Sequence, residues 1–318
     1  MAIDPAAVPV ALFLYNRPEL ARQVLSSVAA VKPRRLFIVA DGPRNDADRG
    51  RCLAARAITD AIDWDCEVTR NYADRNLGCK RRMASGIEWV FGQCEQAIVL
   101  EDDAVADPCF FSFCAELLER YRGDERVMMV SGQSFSERRW TNRNGYYFSR
   151  FPLIWGWASW ARAWRHYDLE MKPWLELRHS QWLEQFLGDR ELARGWRDNF
   201  DAVAFRGLDT WDYQWTFACW RAQGLVAVPN VNLVTNIGFG QDATHTKKAG
   251  SHLAHLRRRA IGFPLRHPQR VAVDRRRDSE ALRRMRGQLP MARVKQMVGR
   301  LTGWVPREVK AGLRRVLR

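Results

Sequence analysis

Along the first hundred residues, short apolar runs alternate with stretches of helical spacing. Val8 to Tyr15 is one apolar run, closed by Asn16-Arg17. Its length and polar borders predict a buried strand. Arg17-Pro18-Glu19 opens a helix, with Pro18 suited to the first turn. Leu20, Val24, Leu25 and Val28 fall on one face of that helix. Leu36 to Ala40 predicts a second strand, ending in Asp41-Gly42-Pro43. Cys52 to Ile62 reads as helical, and Glu67 to Asn71 as a third strand. Asn76-Leu77-Gly78 is a turn leading into a helix that runs through Phe91. A fourth strand ends at Glu101. This β-α-β-α-β-α-β order predicts an α/β fold with a mostly parallel sheet covered by helices on both faces.

The pattern is less regular afterwards. Pro108 to Tyr121 predicts a helix and Val127 to Val130 a strand. Asn144-Gly145 is a turn signal before Tyr146-Tyr147-Phe148. The run Trp155-Gly156-Trp157-Ala158-Ser159-Trp160 alternates in a way that suits no single helix face. Helical spacing covers about Gln181 to Phe200 and Trp211 to Gln223, then a short strand at Leu225 to Val228. Asn236 to Asp242 reads as a flexible loop. Neither an internal repeat nor a low-complexity linker interrupts the 318 residues.

Composition adds three constraints. The chain is 47% hydrophobic and 27% charged, which is ordinary for a globular protein. Its seven cysteines are scattered without C-x-x-C spacing, so reduced thiols and a cytoplasmic setting are expected. Met1 to Pro9 lacks a basic segment followed by an apolar one, so no signal peptide is expected. Nor does any stretch approach the roughly 18 apolar residues of a membrane-spanning helix.

Charge adds a further constraint. The net charge is +15. Residues 255–318 hold 19 Lys and Arg against 4 Asp and Glu, while residues 1–254 hold 32 of each. All the excess therefore belongs to the tail and describes a partner of the tail. Met291, Val294, Val298 and Leu301 share one helical face, and Val309, Leu313, Val316 and Leu317 another. Basic residues such as Arg293, Lys295, Arg300, Lys310, Arg314 and Arg315 surround them. Such helices lie in the plane of an anionic membrane, which predicts a peripheral position at an inner membrane face. The plainer alternative is a solvated helix packed on the body. Polycations also bind phosphate backbones, but no recognition motif is present and nucleic acid is not the expected partner. The expected division is a catalytic domain at 1–254 and a basic amphipathic helical tail at 255–318.

The chemistry concentrates at Glu101-Asp102-Asp103, three carboxylates directly after Ala97-Ile98-Val99-Leu100. Open α/β sheets bind ligands at the carboxyl ends of their strands. Adjacent carboxylates repel unless solvated or sharing a cation, and a hard divalent ion suits oxygen ligands. A solvated strand end is the structural alternative.

Several separated segments share an order with a known fold. Leu14-Tyr15-Asn16-Arg17-Pro18-Glu19 resembles the strand-to-helix turn that contacts the nucleotide in the GT-A fold of nucleotide-sugar glycosyltransferases. Ala40-Asp41-Gly42 resembles the second-strand aspartate that holds the base, and Glu101-Asp102-Asp103 the acidic metal motif, as in the N-acetylglucosaminyltransferase I type. Phe151-Pro152-Leu153-Ile154-Trp155-Gly156-Trp157 is similar to that enzyme's Phe-Pro-Gly-Leu-Gly-Trp segment, and Trp211-Asp212 to its Trp-Asp-Asp-Trp motif, with one aspartate fewer. Asn236 to Thr246 sits where that enzyme has a loop over the diphosphate. The resemblance spans about residues 8–250, extends to family 2 glycosyltransferases, and implies a Rossmann-like GT-A domain.

It implies a metal-dependent, inverting transfer of a hexosyl or N-acetylhexosaminyl group from a nucleotide diphosphate sugar, a UDP-sugar favoured, to a hydroxyl of a glycan or lipid-linked acceptor. Mn²⁺ or Mg²⁺ would offset charge on the leaving diphosphate. Asp103 is then the metal ligand, Asp102 reaches the ribose or the ion through water, and Glu101 orients neighbours. Asp212 is the general base that takes the acceptor proton, with Asp209 as rival base and helix capping as its structural alternative. Asn16, Arg17, Asp41, Asn76, Lys80 and His245 are the further sugar-donor contacts. Gln133 and Trp157 are expected at the sugar or acceptor, since aromatic rings stack on sugars. A sugar-nucleotidyltransferase shares the layout but ordinarily has a Gly-rich phosphate loop after its first strand, which Tyr15-Asn16-Arg17 lacks. A two-carboxylate hydrolase and a nonenzymatic basic membrane adaptor are the remaining readings.

Overall fold

The computed structural model describes residues 3–135, 145–239 and 256–286. The chain divides into two compact units, residues 1–278 and 279–318. In the first, strand β1 (Val10–Leu14) is buried at all five positions, as a central parallel strand must be. Helix α1 (Pro18–Ala29) starts on Pro18 and turns Ala21, Val24, Leu25 and Val28 to the core. Strand β2 (Arg35–Ala40) and helix α2 (Asp46–Ala57), capped by Asn45, come next. Strand β3 (Glu67–Tyr72), helix α3 (Gly78–Phe91) and strand β4 (Gln96–Glu101) complete the repeating part. β3 is only partly buried, which fits its position at the sheet edge.

The less regular part holds strand β5 (Ala104–Ala106), helix α4 (Pro108–Arg120), and strands β6 (Val127–Ser131), β7 (Tyr146–Ser149) and β8 (Trp157–Trp160). Short helices α5 (Ala161–Trp164) and α6 (Trp174–Leu177) lead to α7 (Trp182–Leu187) and α8 (Arg190–Phe205). The single helix expected over 181–200 is therefore two. Gly188 ends α7 in the left-handed region, and Asp189 caps the next with its side chain on Leu192 N. Helix α9 (Asp212–Arg221), strands β9 (Leu225–Pro229) and β10 (Val234–Asn236), and helix α10 (Arg275–Arg286) finish the described elements. Among the described residues, no helix is long and apolar enough to cross a membrane.

Eight strands form one mostly parallel sheet in the order β3-β2-β1-β4-β8-β6-β9-β7. β1, β2, β3 and β4 run parallel, as expected from the alternating pattern. β8 breaks that direction, antiparallel to both β4 and β6. Its sequence, Trp-Ala-Ser-Trp, is buried on both faces, which explains why the tryptophans fit no helix face. β5 and β10 pair separately and antiparallel, bringing Asn236 opposite Ala104 beside the acidic triplet.

Residues 256–278 belong to the first unit. Val273 bridges Phe148 on the free edge of β7, Leu265 is buried, and His267 Nδ1 lies 3.0 Å from the Tyr146 hydroxyl. The first unit thus ends well beyond residue 254.

Candidate active site

The strand order places the site. From β1 the chain moves outward through β2 and β3, then returns to add β4 on the other side of β1. The switch point lies between β1 and β4, where the crevice at the carboxyl ends of an open parallel sheet binds ligands. A cavity of about 270 Å³ opens there. Leu14, Tyr15 and Arg17 reach it from the end of β1, Asp41 and Arg44 from the end of β2, and Glu101, Asp102 and Asp103 from the end of β4. Asn76, Gly78, Cys79, Arg82 and Met83 line it from around α3, and Ile154, Trp155, Asp209, Thr210, Trp211, Asp212 and Asn236 close it.

The acidic triplet is held from several directions. Asp102 Oδ2 accepts the Tyr15 backbone N–H at 3.2 Å, a bond across the β1–β4 seam. Asp103 Oδ2 accepts Arg17 Nη1 at 3.0 Å, and Asp103 Oδ1 accepts Asn236 Nδ2 at 3.1 Å. Arg17 Nη1 is also 4.0 Å from Asp102 Oδ1. Burial raises all three carboxyl pKa values, and their mutual repulsion adds for Glu101 and Asp102. Glu101 is pushed furthest, Asp102 goes up to about 7, and Arg17 opposes the rise in each.

Asp41 is buried and its two oxygens take four donors. Oδ1 accepts Gly42 N and Leu77 N at 2.8 and 2.9 Å, and Oδ2 accepts Asn76 Nδ2 and Gly78 N at 2.9 and 3.2 Å. Within the protein, both oxygens of this cavity-lining carboxylate are engaged in positioning. Asp41 fixes the 76–78 turn, and with it Asn76, at the cavity wall.

Asp209 is similarly committed. Its Oδ2 accepts Cys79 N at 3.0 Å and its Oδ1 accepts Lys80 N at 2.8 Å, capping α3 from 130 residues away. Gly78 makes this approach feasible. Its φ is +80°, and a Cβ there would lie 2.8 Å from Asp209 Oδ2.

Asp212 is left more open. Thr210 Oγ1 donates to its Oδ1, and among the described residues its Oδ2 accepts no hydrogen bond. It stands first in α9, half-buried, with no side-chain cap on that helix. Asp212, Glu101, Asp209 and Asp41 all bear on the Cys79 thiol, whose pKa burial and then these carboxylates drive upward. Six acids from three separated segments thus line one cavity.

Other expected contacts fall elsewhere. Asn16 Nδ2 donates to Asp48 Oδ1 at 2.5 Å, and Tyr15 Oη to Asp48 Oδ2, so Asn16 braces the cavity mouth without lining it. Lys80 Nζ pairs with Glu170 at 3.8 Å, away from the lining. Gln133 is buried outside the cavity. Trp157 is fully buried between Trp211, Trp215 and Trp164 with ring centroids 5.5–6.3 Å apart. It is core, because β8 lies between β4 and β6; the cavity wall is Trp155, two residues earlier. His245 lies outside the described residues.

Three arginine positions matter, of which only Arg17 carries a sequence motif. Arg44 reaches the cavity with its guanidinium 5.0 Å over the Tyr15 ring. Arg82 is buried and donates through Nη2 to Asn71 O and Oδ1, while its buried Nε has no partner among the described residues. Its position on the fifth residue of α3, one turn from Asn76-Leu77-Gly78, is the only sequence signal for it.

The placement of Trp157 makes a stability prediction. Trp157→Ala is expected to cost about 3–5 kcal/mol in urea unfolding. A variant of unchanged stability would return Trp157 to a solvent-facing role.

Comparison with known proteins adds little to this geometry. No family model matches the sequence, and no curated protein matches it. Among solved structures, the chain is similar to the 4-diphosphocytidyl-2C-methyl-D-erythritol synthase of Anaerococcus prevotii DSM 20548. The identity is 11% and the TM-score 0.32, over 70% of this chain and 88% of that one. It is also similar to a UDP-glucose pyrophosphorylase complexed with UDP-glucose, at 11% identity and a TM-score of 0.27. That likeness covers 46% of this chain and 64% of the other. Likenesses this distant assign no activity.

Proposed function

We propose that this chain is a metal-dependent glycosyltransferase that moves a sugar from a nucleotide diphosphate sugar, a UDP-sugar favoured, to a hydroxyl of a glycan or lipid-linked acceptor, with inversion. The observation that carries this reading is the convergence of the Glu101–Asp103 triplet and Asp212, 109 residues after Asp103, on one cavity at the switch point. Asp212 offers an oxygen without a hydrogen bond to the proton of an attacking hydroxyl. A positioned carboxylate of this kind is a general base. Asp209 is the weaker candidate, since both its oxygens already cap α3.

The triplet fits a divalent cation of a particular kind. Its oxygens are the hard donors that Mn²⁺ or Mg²⁺ takes. Among the described residues, however, no three His, Cys, Asp or Glu side chains form a ready-made ligand set. Mg²⁺ is commonly held by one or two carboxylates together with substrate phosphates. Asp103, assisted by Asp102, would hold the ion on that pattern, and the ion would supply positive charge where the diphosphate leaves. Arg44, Arg82 and the Asp41-fixed turn at Asn76 provide the remaining polar contacts around the cavity. Trp155, half-buried at the cavity wall, offers aromatic surface to a sugar ring.

Sugar-nucleotidyl transfer is the second reading, and two observations set it behind. In such a reaction the attacking group is a phosphate, already ionised at neutral pH, so an open carboxylate base has no task; a hydroxyl needs one. The turn after β1 contains no glycine, and Tyr15 and Arg17 are engaged with Asp48 and the triplet. A thermal-shift panel of nucleotide diphosphates and their sugars, with and without Mn²⁺, tests the reading. A ligand of the folded state raises the melting temperature by mass action. One nucleotide is expected to do so only with Mn²⁺; no shift by any would remove the reading.

The basic tail supports attachment to an anionic membrane on the cytoplasmic side, where a lipid-linked acceptor would lie. Residues 287–318, which carry both amphipathic faces, are outside the described residues. Deleting residues 288–318 is expected to abolish sedimentation with anionic vesicles at low salt and to leave nucleotide binding unchanged. Each Lys or Arg near such a surface contributes about 1 kcal/mol, which salt screens. Equal vesicle binding by both chains would rule the tail out as the anchor.

A further inference from the structure

The triplet already contains a cation, and it belongs to the protein. Arg17 Nη1 is 3.0 Å from Asp103 Oδ2 and 4.0 Å from Asp102 Oδ1, with both partners largely shielded from solvent. Asn236 occupies the other oxygen of Asp103 at 3.1 Å, and Ile237 N donates to the Asp103 backbone carbonyl at 2.8 Å. Gly238 closes the remaining side. A Cβ built there would fall 2.1 Å from Asp103 Oδ2 and 2.8 Å from Arg17 Nη1, so the backbone passes directly over the ion pair. Gly238 N donates to Asn236 Oδ1 at 2.8 Å, which keeps that backbone in place.

We infer that Arg17 is a resident counter-ion that holds the Asp102–Asp103 carboxylates in the absence of a divalent cation and competes with that cation for them. The inference rests on the metal reading above. Each Asp103 oxygen holds one hydrogen bond, and the Gly238 backbone lies over Oδ2, so an ion that ligates Asp103 comes against Arg17 on Oδ2 or Asn236 on Oδ1. Of the two, the guanidinium is the one that two positive charges at a single carboxylate would expel. Displaced from Asp103, the Arg17 guanidinium remains beside the cavity it lines, where an anionic group would attract it. The arrangement makes the metal site weak until an incoming diphosphate offers Arg17 a new partner and the cation further oxygens. Metal and sugar donor would then bind together, and the buried acids would never be without a counter-charge.

The test uses Mn²⁺ alone, titrated into the full-length protein without nucleotide and followed by the electron paramagnetic resonance of the free ion. A neighbouring opposite charge changes a carboxylate's proton affinity by about 10- to 1,000-fold. Removing Arg17 is therefore expected to tighten Mn²⁺ binding by at least about tenfold, in Arg17→Met and in Arg17→Gln alike. Arg17→Gln keeps a hydrogen-bond donor for Asp103 Oδ2 and carries the test where Arg17→Met does not fold. A variant that folds only with Mn²⁺ present also supports the exchange, and failure of both with and without Mn²⁺ counts against it. The gain must vanish when Asp103→Asn is added. Equal or weaker Mn²⁺ binding by folded variants overturns the inference and leaves the metal reading standing. No Mn²⁺ binding by any protein, even with a saturating nucleoside diphosphate, overturns both.

Discussion

Asp212→Asn is expected to bind the sugar donor with unchanged affinity and to lose turnover by about 10²–10⁴-fold, the range a general base contributes. The substitution is nearly isosteric. The Asn oxygen still accepts the Thr210 hydroxyl that holds Asp212 Oδ1, so the start of α9 keeps its geometry. What disappears is the carboxylate oxygen that accepts no hydrogen bond in the described structure. Titration calorimetry separates binding from initial rate. Asp209→Asn provides the contrast. Its oxygens cap α3 at Cys79 N and Lys80 N, and losing a cap costs about 0.5–2 kcal/mol of stability. Near-normal transfer by Asp212→Asn, with inactivation by Asp209→Asn, would exchange the two roles.

The second large effect is expected at Asp103. Asp103→Ala should reduce metal-dependent nucleotide affinity by more than about 100-fold. Loss of a partner outside the first ring of ligands already costs 10–100-fold in metal affinity, and a direct ligand costs more. The variant also leaves Arg17 and Asn236 without their carboxylate partner. Near-UV circular dichroism should therefore accompany the calorimetry, and Asp103→Asn, which keeps the side chain's size and one of its two accepting oxygens, should show the same loss. Unchanged metal-dependent affinity in a folded Asp103→Asn would remove the metal assignment.

What the sequence made legible follows from periodicity. β1, α1, β2, α3 and β4 announce themselves because each is mainly apolar or apolar at helical spacing, β3 is the polar edge strand between them, and the alternation predicts a parallel sheet. Glu101-Asp102-Asp103 stands out as three acids closing an apolar run, Asp212 as an acid between Trp211 and Tyr213 in a segment similar to a known motif, and the structure brings them to one cavity. β8 was hidden. Four residues buried on both faces carry no alternation, and antiparallel insertion between β4 and β6 is a tertiary choice. That one strand decides the fate of Trp157, which becomes core while Trp155 lines the cavity. The commitments of Asp41 and Asp209 were equally invisible, since each depends on donors that meet it only after folding: Leu77 and Gly78 for one, Cys79 and Lys80 for the other. Arg44 and Arg82 looked like any surface or helix arginine. Only their approach to the cavity distinguishes them.

The most direct measurement is phosphorus NMR of the protein with its sugar donor and a divalent cation, with and without an acceptor, and with added pyrophosphate. Glycosyl transfer predicts that nucleoside diphosphate accumulates only when the acceptor is present, with no consumption of pyrophosphate. Acceptor-independent conversion of sugar donor and pyrophosphate into nucleoside triphosphate and sugar 1-phosphate would contradict it and assign nucleotidyl transfer instead.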